Sequence, residues 1–330
     1  MTRSMRGGWL ALFCAVLLGA CTSSPPSMPV VPVSSLPLIV AHRGGTADAP
    51  ENTIEAIRQA LAHHADVMWL TVQLSKDGVP VLYRPADLSA LTDASGPVAS
   101  KAAAELARVN AGWMFKQPGA TGEGEYPYRR NPVGIPTLRD ALRAIPVDMP
   151  VILDMKALPA EPQAQAVAKV LSDEGAWPRV VIYSTEAAYQ SAFAAYPQAR
   201  LFESRDATRL RLLRVLLNEG CMDAPTKPTW TGFELHRKLT VTEKFTLGEG
   251  RSEVNATMWT PEAVACFRRQ SDQVRVVAIA VNNADDYRSA ACLGIDAVLA
   301  DSPREMSAIR ATIALPLQCP VRQETATAQN

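Results

Sequence analysis

The sequence predicts an α/β fold, a single (β/α)8 TIM-type barrel with an insertion after the second strand. From residue 38 onward, short apolar runs alternate with helical patterns in about eight units, the sign of parallel strands joined by crossover helices. No Gly-rich dinucleotide fingerprint follows the first run, which favours a closed barrel over an open Rossmann sheet. Composition fits a globular protein with a large core: 330 residues, 48% hydrophobic, with 33 basic against 33 acidic side chains. Zero formal charge removes the electrostatic footprint of non-specific nucleic-acid binding, and no nucleic-acid motif replaces it.

Residues 1–20 read as an export signal. Arg3 and Arg6 precede an apolar run over residues 9–18, too short for a hydrocarbon core of about 30 Å, and Gly19, Ala20 and Cys21 follow. Leu18-Gly19-Ala20-Cys21 resembles the bacterial lipobox, which implies cleavage before Cys21 and lipidation of its thiol and new N-terminus; ordinary secretion is the alternative. Two or three acyl chains, at about 0.8 kcal/mol per buried CH2, hold a protein on a membrane without spanning it. Residues 21–37, rich in Ser and Pro, read as an extended tether. Thr22, where inner-membrane retention would place Asp, favours a periplasm-facing outer-membrane lipoprotein. Four cysteines remain in the body: Cys221, Cys266, Cys292 and Cys319. They allow one or two disulfides, with three full connectivities, or serve as small buried hydrophobes, and their spacing is not that of a zinc site.

The body, residues 38–314, opens with a strand at 38–41 and a helix at 53–64 with Ile54, Ile57 and Leu61 at helical spacing. Extended segments at 67–74 and 79–83 flank the Lys76-Asp77-Gly78 turn. Strands follow at 151–155, 180–184, 200–202, 274–281 and 297–300, with helices at 162–175, 185–196 and 207–217 between them. Residues 90–132 fit no βα repeat and read as an insertion over the barrel mouth. Trp113, Phe115, Tyr126 and Tyr128 there are expected to form the insertion's own core, or an apolar lip. Residues 315–330 read as a C-terminal tail.

Several motifs then fall in order. His42-Arg43-Gly44-Gly45 is followed by Pro50-Glu51-Asn52-Thr53 at a helix start, by Lys76-Asp77-Gly78-Val79-Pro80-Val81, and by Gly96-Pro97-Val98, Glu105-Leu106 and Asn110-Ala111-Gly112. Ile135-Pro136-Thr137-Leu138, the acid-x-Lys pair Asp154 and Lys156, Ala280-Val281-Asn282, Gly294-Ile295-Asp296-Ala297 and Asp301-Ser302-Pro303 complete the series. Together they resemble the glycerophosphodiester phosphodiesterase family across residues 38–303. The resemblance implies hydrolysis of glycerophosphodiesters to glycerol 3-phosphate and an alcohol, with a Ca or Mg ion, three metal-binding carboxylates and two histidines as acid and base. Hard cations take carboxylate oxygens and neutralise charge developing on phosphate, while two proton carriers serve attack and departure. Carried onto this chain, the resemblance makes His42 and Arg43 catalytic, Lys156 and Arg43 substrate-binding, and Glu51 and Asp154 metal ligands.

The sequence also departs from the family pattern. Where the family's second strand carries Glu-x-Asp, this chain reads Trp69-Leu70-Thr71, and an indole and a lone hydroxyl are poor ligands for a hard cation. Asp66 would face the other way, and Gln73 offers only a neutral amide. Arg84-Pro85 stands where the family has His-Asp, and a guanidinium cannot exchange protons near neutral pH. Arg84 is therefore expected to act electrostatically, the metal being weak or absent. Metal-independent bacterial phosphatidylinositol phospholipases, which resemble this barrel, use an arginine where relatives use calcium. A guanidinium about 4 Å from a phosphate contributes roughly 4 kcal/mol at an effective dielectric of 20. Arg43, Arg84 and Lys156 against Glu51 and Asp154 leave an excess positive charge that would attract phosphate. His236 is a candidate second proton carrier, whereas His63 and His64 close a helix and face solvent. Two readings follow: a membrane-anchored phosphodiesterase of glycerophosphodiesters or phospholipid head groups, or a catalytically degenerate lipoprotein that binds them.

Overall fold

The computed structural model describes residues 30–118 and 124–320. The expected leader, with Cys21, lies outside the described residues. The described strands are β1 (Val30–Val33), β2 (Leu38–His42), β3 (Val67–Leu74), β4 (Pro80–Leu82), β5 (Gln117–Pro118), β6 (Gly124–Glu125), β7 (Val151–Met155), β8 (Val180–Tyr183), β9 (Thr229–Glu234), β10 (His236–Phe245), β11 (Gly248–Thr257), β12 (Val274–Ile279), β13 (Ala297–Ala300) and β14 (Leu317–Pro320). The helices are α1 (Ile54–Ala62), α2 (Ala103–Leu106), α3 (Leu138–Ala144), α4 (Ala160–Asp173), α5 (Ala188–Ala192), α6 (Arg205–Leu216), α7 (Pro261–Arg268), α8 (Ala284–Cys292) and α9 (Pro303–Ala311).

Parallel pairing runs β8-β7-β3-β2-β13-β12-β9. Residues 201–202 close the ring: Leu201 bridges Ile182 and Phe202 bridges Trp230, both in parallel, and Glu203 N donates to Trp230 O at 2.7 Å. This two-residue eighth strand completes the predicted barrel. Strands covered by helices outside and side chains inside read as continuous apolar runs, and β7 is buried at every position. Val40, Val67, Trp69, Ile152, Val181, Tyr183, Phe202, Val277, Ala297 and Leu299 fill the interior. Most of the described helices start where the sequence supplies a capping side chain; α2, α4 and α5 do not. Thr53 accepts from Ala56 N, Thr137 and Asp140 form a reciprocal capping box, and Ser302 accepts from Glu305 N.

The structure differs from the sequence expectations in four places. The last strand before α8 stops at Ile279 instead of residue 281, because Ala280 takes φ 63, outside the strand region. The insertion's core is aliphatic: Leu88, Val98, Leu106 and Ala111 pack on Val81 and Tyr83, while the four aromatics lie at its half-buried periphery. There Phe115 meets Tyr128 edge-on at 5.6 Å, and the Arg129 guanidinium lies 4.7 Å from the Trp113 ring and 3.9 Å from the Tyr126 ring. The segment expected as the tether's end pairs with the expected tail: β1 and β14 form an antiparallel clasp, and Tyr287 Oη donates to Pro37 O at 2.8 Å. Finally, β10 and β11 form a hairpin of two ten-residue strands that the sequence does not foreshadow.

Of the three connectivities the sequence left open, the structure selects Cys221–Cys266 and Cys292–Cys319. The second ties the clasp to the end of α8. Among the described residues no helix is long and apolar enough to cross a membrane.

Candidate active site

The C-terminal ends of the barrel strands converge on one mouth, the face where this fold collects functional groups. His42 ends β2, Thr71 and Gln73 lie on β3, Asp154 is on β7 with Lys156 just after it, and Asp301 follows β13. The loop after His42 is held in an unusual conformation, with φ of 52 at Arg43, 83 at Gly44 and 101 at Gly45. A Cβ at Gly44 would lie 2.8 Å from Ala56 Cβ, and one at Gly45 2.8 Å from Pro303 Cδ. The two glycines thus let α1 and α9 close in behind His42 and Arg43.

His42 Nδ1 bonds Asp301 Oδ1 at 2.6 Å. Thr46 Oγ1 donates to the same oxygen at 3.1 Å, and Asn282 Nδ2 donates to the other at 2.8 Å. The His42 bond, with these donors, holds the Asp301 carboxyl below its ordinary value, so it stays ionised and accepts the hydrogen bond donated by Nδ1–H. That assigns the lone pair to Nε2, the tautomer a general base needs. Sequence reasoning missed Asp301, Thr46 and Asn282 as site residues. The available signal was position: Asp301 opens a matched motif just past a barrel strand.

Arg43 Nη1 donates to Glu51 Oε2 at 2.6 Å, and Lys156 Nζ lies 3.1 Å from Asp154 Oδ1 and 3.2 Å from Thr185 Oγ1. Thr71 Oγ1 reaches Asp154 Oδ2 at 3.5 Å. Burial pushes the Asp154 carboxyl above its ordinary value, against the opposing pull of Lys156, Arg43 and His42. Asn52, at φ 58, accepts from Thr71 N at 2.9 Å through its side-chain oxygen and so locks the loop to β3. Buried atoms without a hydrogen-bond partner, among the described residues, are Arg43 Nε, Glu51 Oε1, Asn52 Nδ2 and Asp154 Oδ1. All four belong to this mouth. Asp154 Oδ1 still has the Lys156 ammonium at 3.1 Å; the other three are unsatisfied, at about 1–3 kcal/mol each, the pattern of a site arranged for a polar ligand.

Arg84 is exposed, with no hydrogen bond or ion pair among the described residues. Gln73 Nε2 donates to Tyr83 O at 3.0 Å and to Pro85 O at 2.7 Å, so the backbone carrying Arg84 arches over the end of β3. Asp301 also changes the charge count, since its carboxylate cancels the excess positive charge expected of the mouth. Arg43 and Lys156 are each ion-paired, whereas Arg84 has no ion-pair partner among the described residues. His236 does not join the group: its Nε2 lies 3.0 Å from Asp286 Oδ1 and its Nδ1 3.2 Å from Thr257 Oγ1. Of the other histidines, His63 is the C-cap of α1 and His64 is exposed.

The donor set does not fit a divalent cation. Glu51 and Asp154 each have a cationic side chain within 3.1 Å. Trp69 is turned into the barrel, 4.8 Å from the Tyr183 ring and 5.9 Å from the Phe202 ring, and fills the volume where a ligating carboxylate would stand. Calcium takes six to eight oxygens and magnesium a near-ideal octahedron; one hydroxyl and two neutralised carboxylates supply neither.

Comparison with known proteins agrees with this architecture. Residues 42–305 match the model of the Glycerophosphoryl diester phosphodiesterase family. An uncharacterized protein of Mycobacterium tuberculosis is 48% identical over 293 residues, covering 89% of this chain and 95% of the relative. The crystal structure of the glycerophosphoryl diester phosphodiesterase domain of Rv2277c from Mycobacterium tuberculosis superposes with a TM-score of 0.78 at 49% identity, covering 84% of this chain and all (100%) of that one. A phosphodiesterase of Oleispira antarctica, solved in complex with its product sn-glycerol-3-phosphate, shares the fold with a TM-score of 0.61 at 20% identity, over 84% of this chain and 98% of that one.

Proposed function

This chain belongs to the glycerophosphodiester phosphodiesterase family, and from that premise we propose that it hydrolyses glycerophosphodiesters to glycerol 3-phosphate and an alcohol, using arginine electrostatics where relatives use a metal. The observation that carries this reading is the His42–Asp301 bond of 2.6 Å beside a set of unsatisfied buried polar atoms. A phosphodiester in the mouth would accept from Arg43 Nε and Asn52 Nδ2, and Arg84 would balance its charge. Glu51 Oε1 would accept from a glycerol hydroxyl. His42 Nε2 takes a proton from an attacking water as the water oxygen bonds to phosphorus, and Asp301 stabilises the imidazolium. The bond to the alcohol oxygen breaks, and with Arg84 at the family's second histidine position that oxygen takes its proton from water at the open mouth; the hydroxide left behind takes the proton held by His42, which restores the base. The family ordinarily uses a divalent metal, and no step here passes through one. The product bound by the Oleispira antarctica relative supports glycerol 3-phosphate as the retained half.

The test is release of glycerol 3-phosphate from glycerophosphocholine and glycerophosphoethanolamine with Ca, Mg or EDTA, for the wild type and His42→Ala. The expected result is turnover that EDTA leaves intact and His42→Ala abolishes. A second reading, a binding lipoprotein without turnover, is favoured by the arginine at the second proton carrier's position. Saturable binding of glycerophosphocholine with no product in any condition would select it.

We also propose export and anchoring through Cys21 to a periplasm-facing membrane, with phospholipid head groups within reach of the mouth. Two disulfides support an oxidising compartment. Cys21→Ser is expected to abolish palmitate incorporation and move the protein to the soluble fraction; unchanged labelling would refute the acylation site.

A further inference from the structure

The β10–β11 hairpin leaves the barrel at the mouth, directly after Glu234, and returns at Met258, whose N–H donates to Leu235 O at 2.8 Å. Ten residues per strand give it a length of about 34 Å, at about 3.4 Å per residue. Its root is fixed by Ala256 against the core, by Arg237 on Glu234 at 3.3 Å and by His236 on Asp286 at 3.0 Å. Beyond the root, residues 240–249 and 251–255 are exposed on both faces. A lone two-stranded ribbon is marginal in water unless something covers one side.

The two faces differ. The register pairs Leu239 with Val254, Val241 with Ser252, Glu243 with Gly250 and Phe245 with Gly248, so alternation puts these residues and Arg237 on one side. Lys238, Thr240, Thr242, Lys244, Glu249, Arg251, Glu253 and Asn255 lie on the other. Gly250 leaves room for the Phe245 ring to lie across the ribbon, since a Cβ there would fall 2.8 Å from Phe245 Cε2. On the apolar side Val241, Phe245 and Val254 are 47%, 63% and 46% exposed, and Leu247 at the turn is 99% exposed.

We propose that this face is the contact between two copies of the chain, packed ribbon on ribbon about a two-fold axis crossing near residue 240. The polarity of the face favours a second copy over a bilayer. Read outward from the root, β10 presents Arg237, Leu239, Val241, Glu243 and Phe245. Turned end for end upon itself, this row sets Arg237 opposite Glu243 and Leu239 opposite Val241, the self-complementarity that a two-fold interface requires. Lipid insertion would bury Glu243 without a counter-ion, and so would packing the ribbons root to root, where Glu243 would meet Gly250. The antiparallel arrangement carries Phe245 and Leu247 of each copy to the rim from which the partner's hairpin rises, so the pair encloses part of each mouth. The ribbon offers roughly 300 Å² per copy, about 600 Å² in all and below the roughly 1,200 Å² of stable contacts, so the association is weak in solution and gains from confinement on a membrane.

Charge reversal distinguishes this pairing. Sedimentation of the full chain in detergent, from about 1 to about 500 µM, should show a concentration-dependent dimer. Glu243→Arg or Arg237→Glu should each weaken it about tenfold or more, and the double variant should return it to within about threefold of wild type. Glu243 is wholly on the surface, so Glu243→Arg should leave the thermal midpoint unchanged. A protein monomeric throughout, or a double variant no better than the singles, overturns the proposal. So does a monomer whose flotation with phosphatidylglycerol vesicles is lost on Phe245→Ser in a Cys21→Ser background, since that would make the face a lipid contact.

Discussion

Asp301→Asn tests the catalytic core of this protein most directly. The carboxylate accepts from His42 Nδ1 at 2.6 Å and from Asn282 Nδ2 at 2.8 Å, and its own N–H donates to Asn282 Oδ1 at 2.8 Å. An asparagine keeps the size and can keep its oxygen toward Asn282, which turns its NH2 group toward His42. Nδ1 must then accept, the proton moves to Nε2, and the base faces substrate already protonated. A positioned base contributes about 10²–10⁴ in rate, or about 3–5 kcal/mol at 1.36 kcal/mol per tenfold. A comparable carboxylate-to-amide change in a serine protease triad costs about 10⁴. Because the Asp301 side chain is 42% exposed, the lower half of that range is expected, a loss of about 10²–10³ in kcat with KM nearly unchanged. The assay is glycerol 3-phosphate release from glycerophosphoethanolamine, with the thermal midpoint as a folding control. Retention of kcat within about threefold in a folded variant would show that His42 does not act as the proposed base.

Arg84→Ala is expected to weaken glycerophosphodiester binding about tenfold or more while EDTA has little effect on the wild type, measured by titration calorimetry; unchanged affinity removes Arg84 from the site. Trp69→Glu with Thr71→Asp and Arg84→His is expected to introduce Ca- or Mg-dependent turnover, read by the same assay with and without chelator. For Asp154 the sign follows from burial: its folded pKa is raised above the ordinary 3.8, so the ionised form costs stability above the folded value and the cost disappears as pH falls below 3.8. Asp154→Asn should therefore raise the thermal midpoint at pH 7, not at pH 3, while lowering substrate affinity; an equal gain at both pH values would contradict this. Reduction should lower the midpoint, since opening the Cys221–Cys266 link, with a sequence separation of 45, releases about 4 kcal/mol of chain entropy in the loop-closure treatment. Cys292→Ser with Cys319→Ser, separation 27, should cost slightly less, about 3.5 kcal/mol.

The barrel was legible because most of its strands are short apolar runs and most of its helices begin at cap residues that act locally; β9, which reads Thr229-Trp230-Thr231-Gly232-Phe233-Glu234, is an exception. The His42 to Gly45 and Glu51 to Asn52 segments were legible for a related reason: a loop at positive φ pressed against two helices tolerates few residue types. The hairpin was not, because a ribbon exposed on both faces carries little apolar periodicity for a sequence reading to detect. Nor was the clasp, whose strands are four residues each and lie near opposite ends of the chain.

The sequence by itself determined the barrel class, most of its strands, and the replacement of two family carboxylates by Trp69 and Thr71 and of a family histidine by Arg84, since those follow from residue type and near-neighbour spacing. Only the tertiary structure decided which groups meet. It joined His42 to Asp301 across 259 positions, paired His236 with Asp286 instead of with His42, and chose one disulfide pattern of three. The physical reason is closure: the first and last strands of the barrel become neighbours only when the ring completes, and no local periodicity records which side chains that brings within hydrogen-bond range.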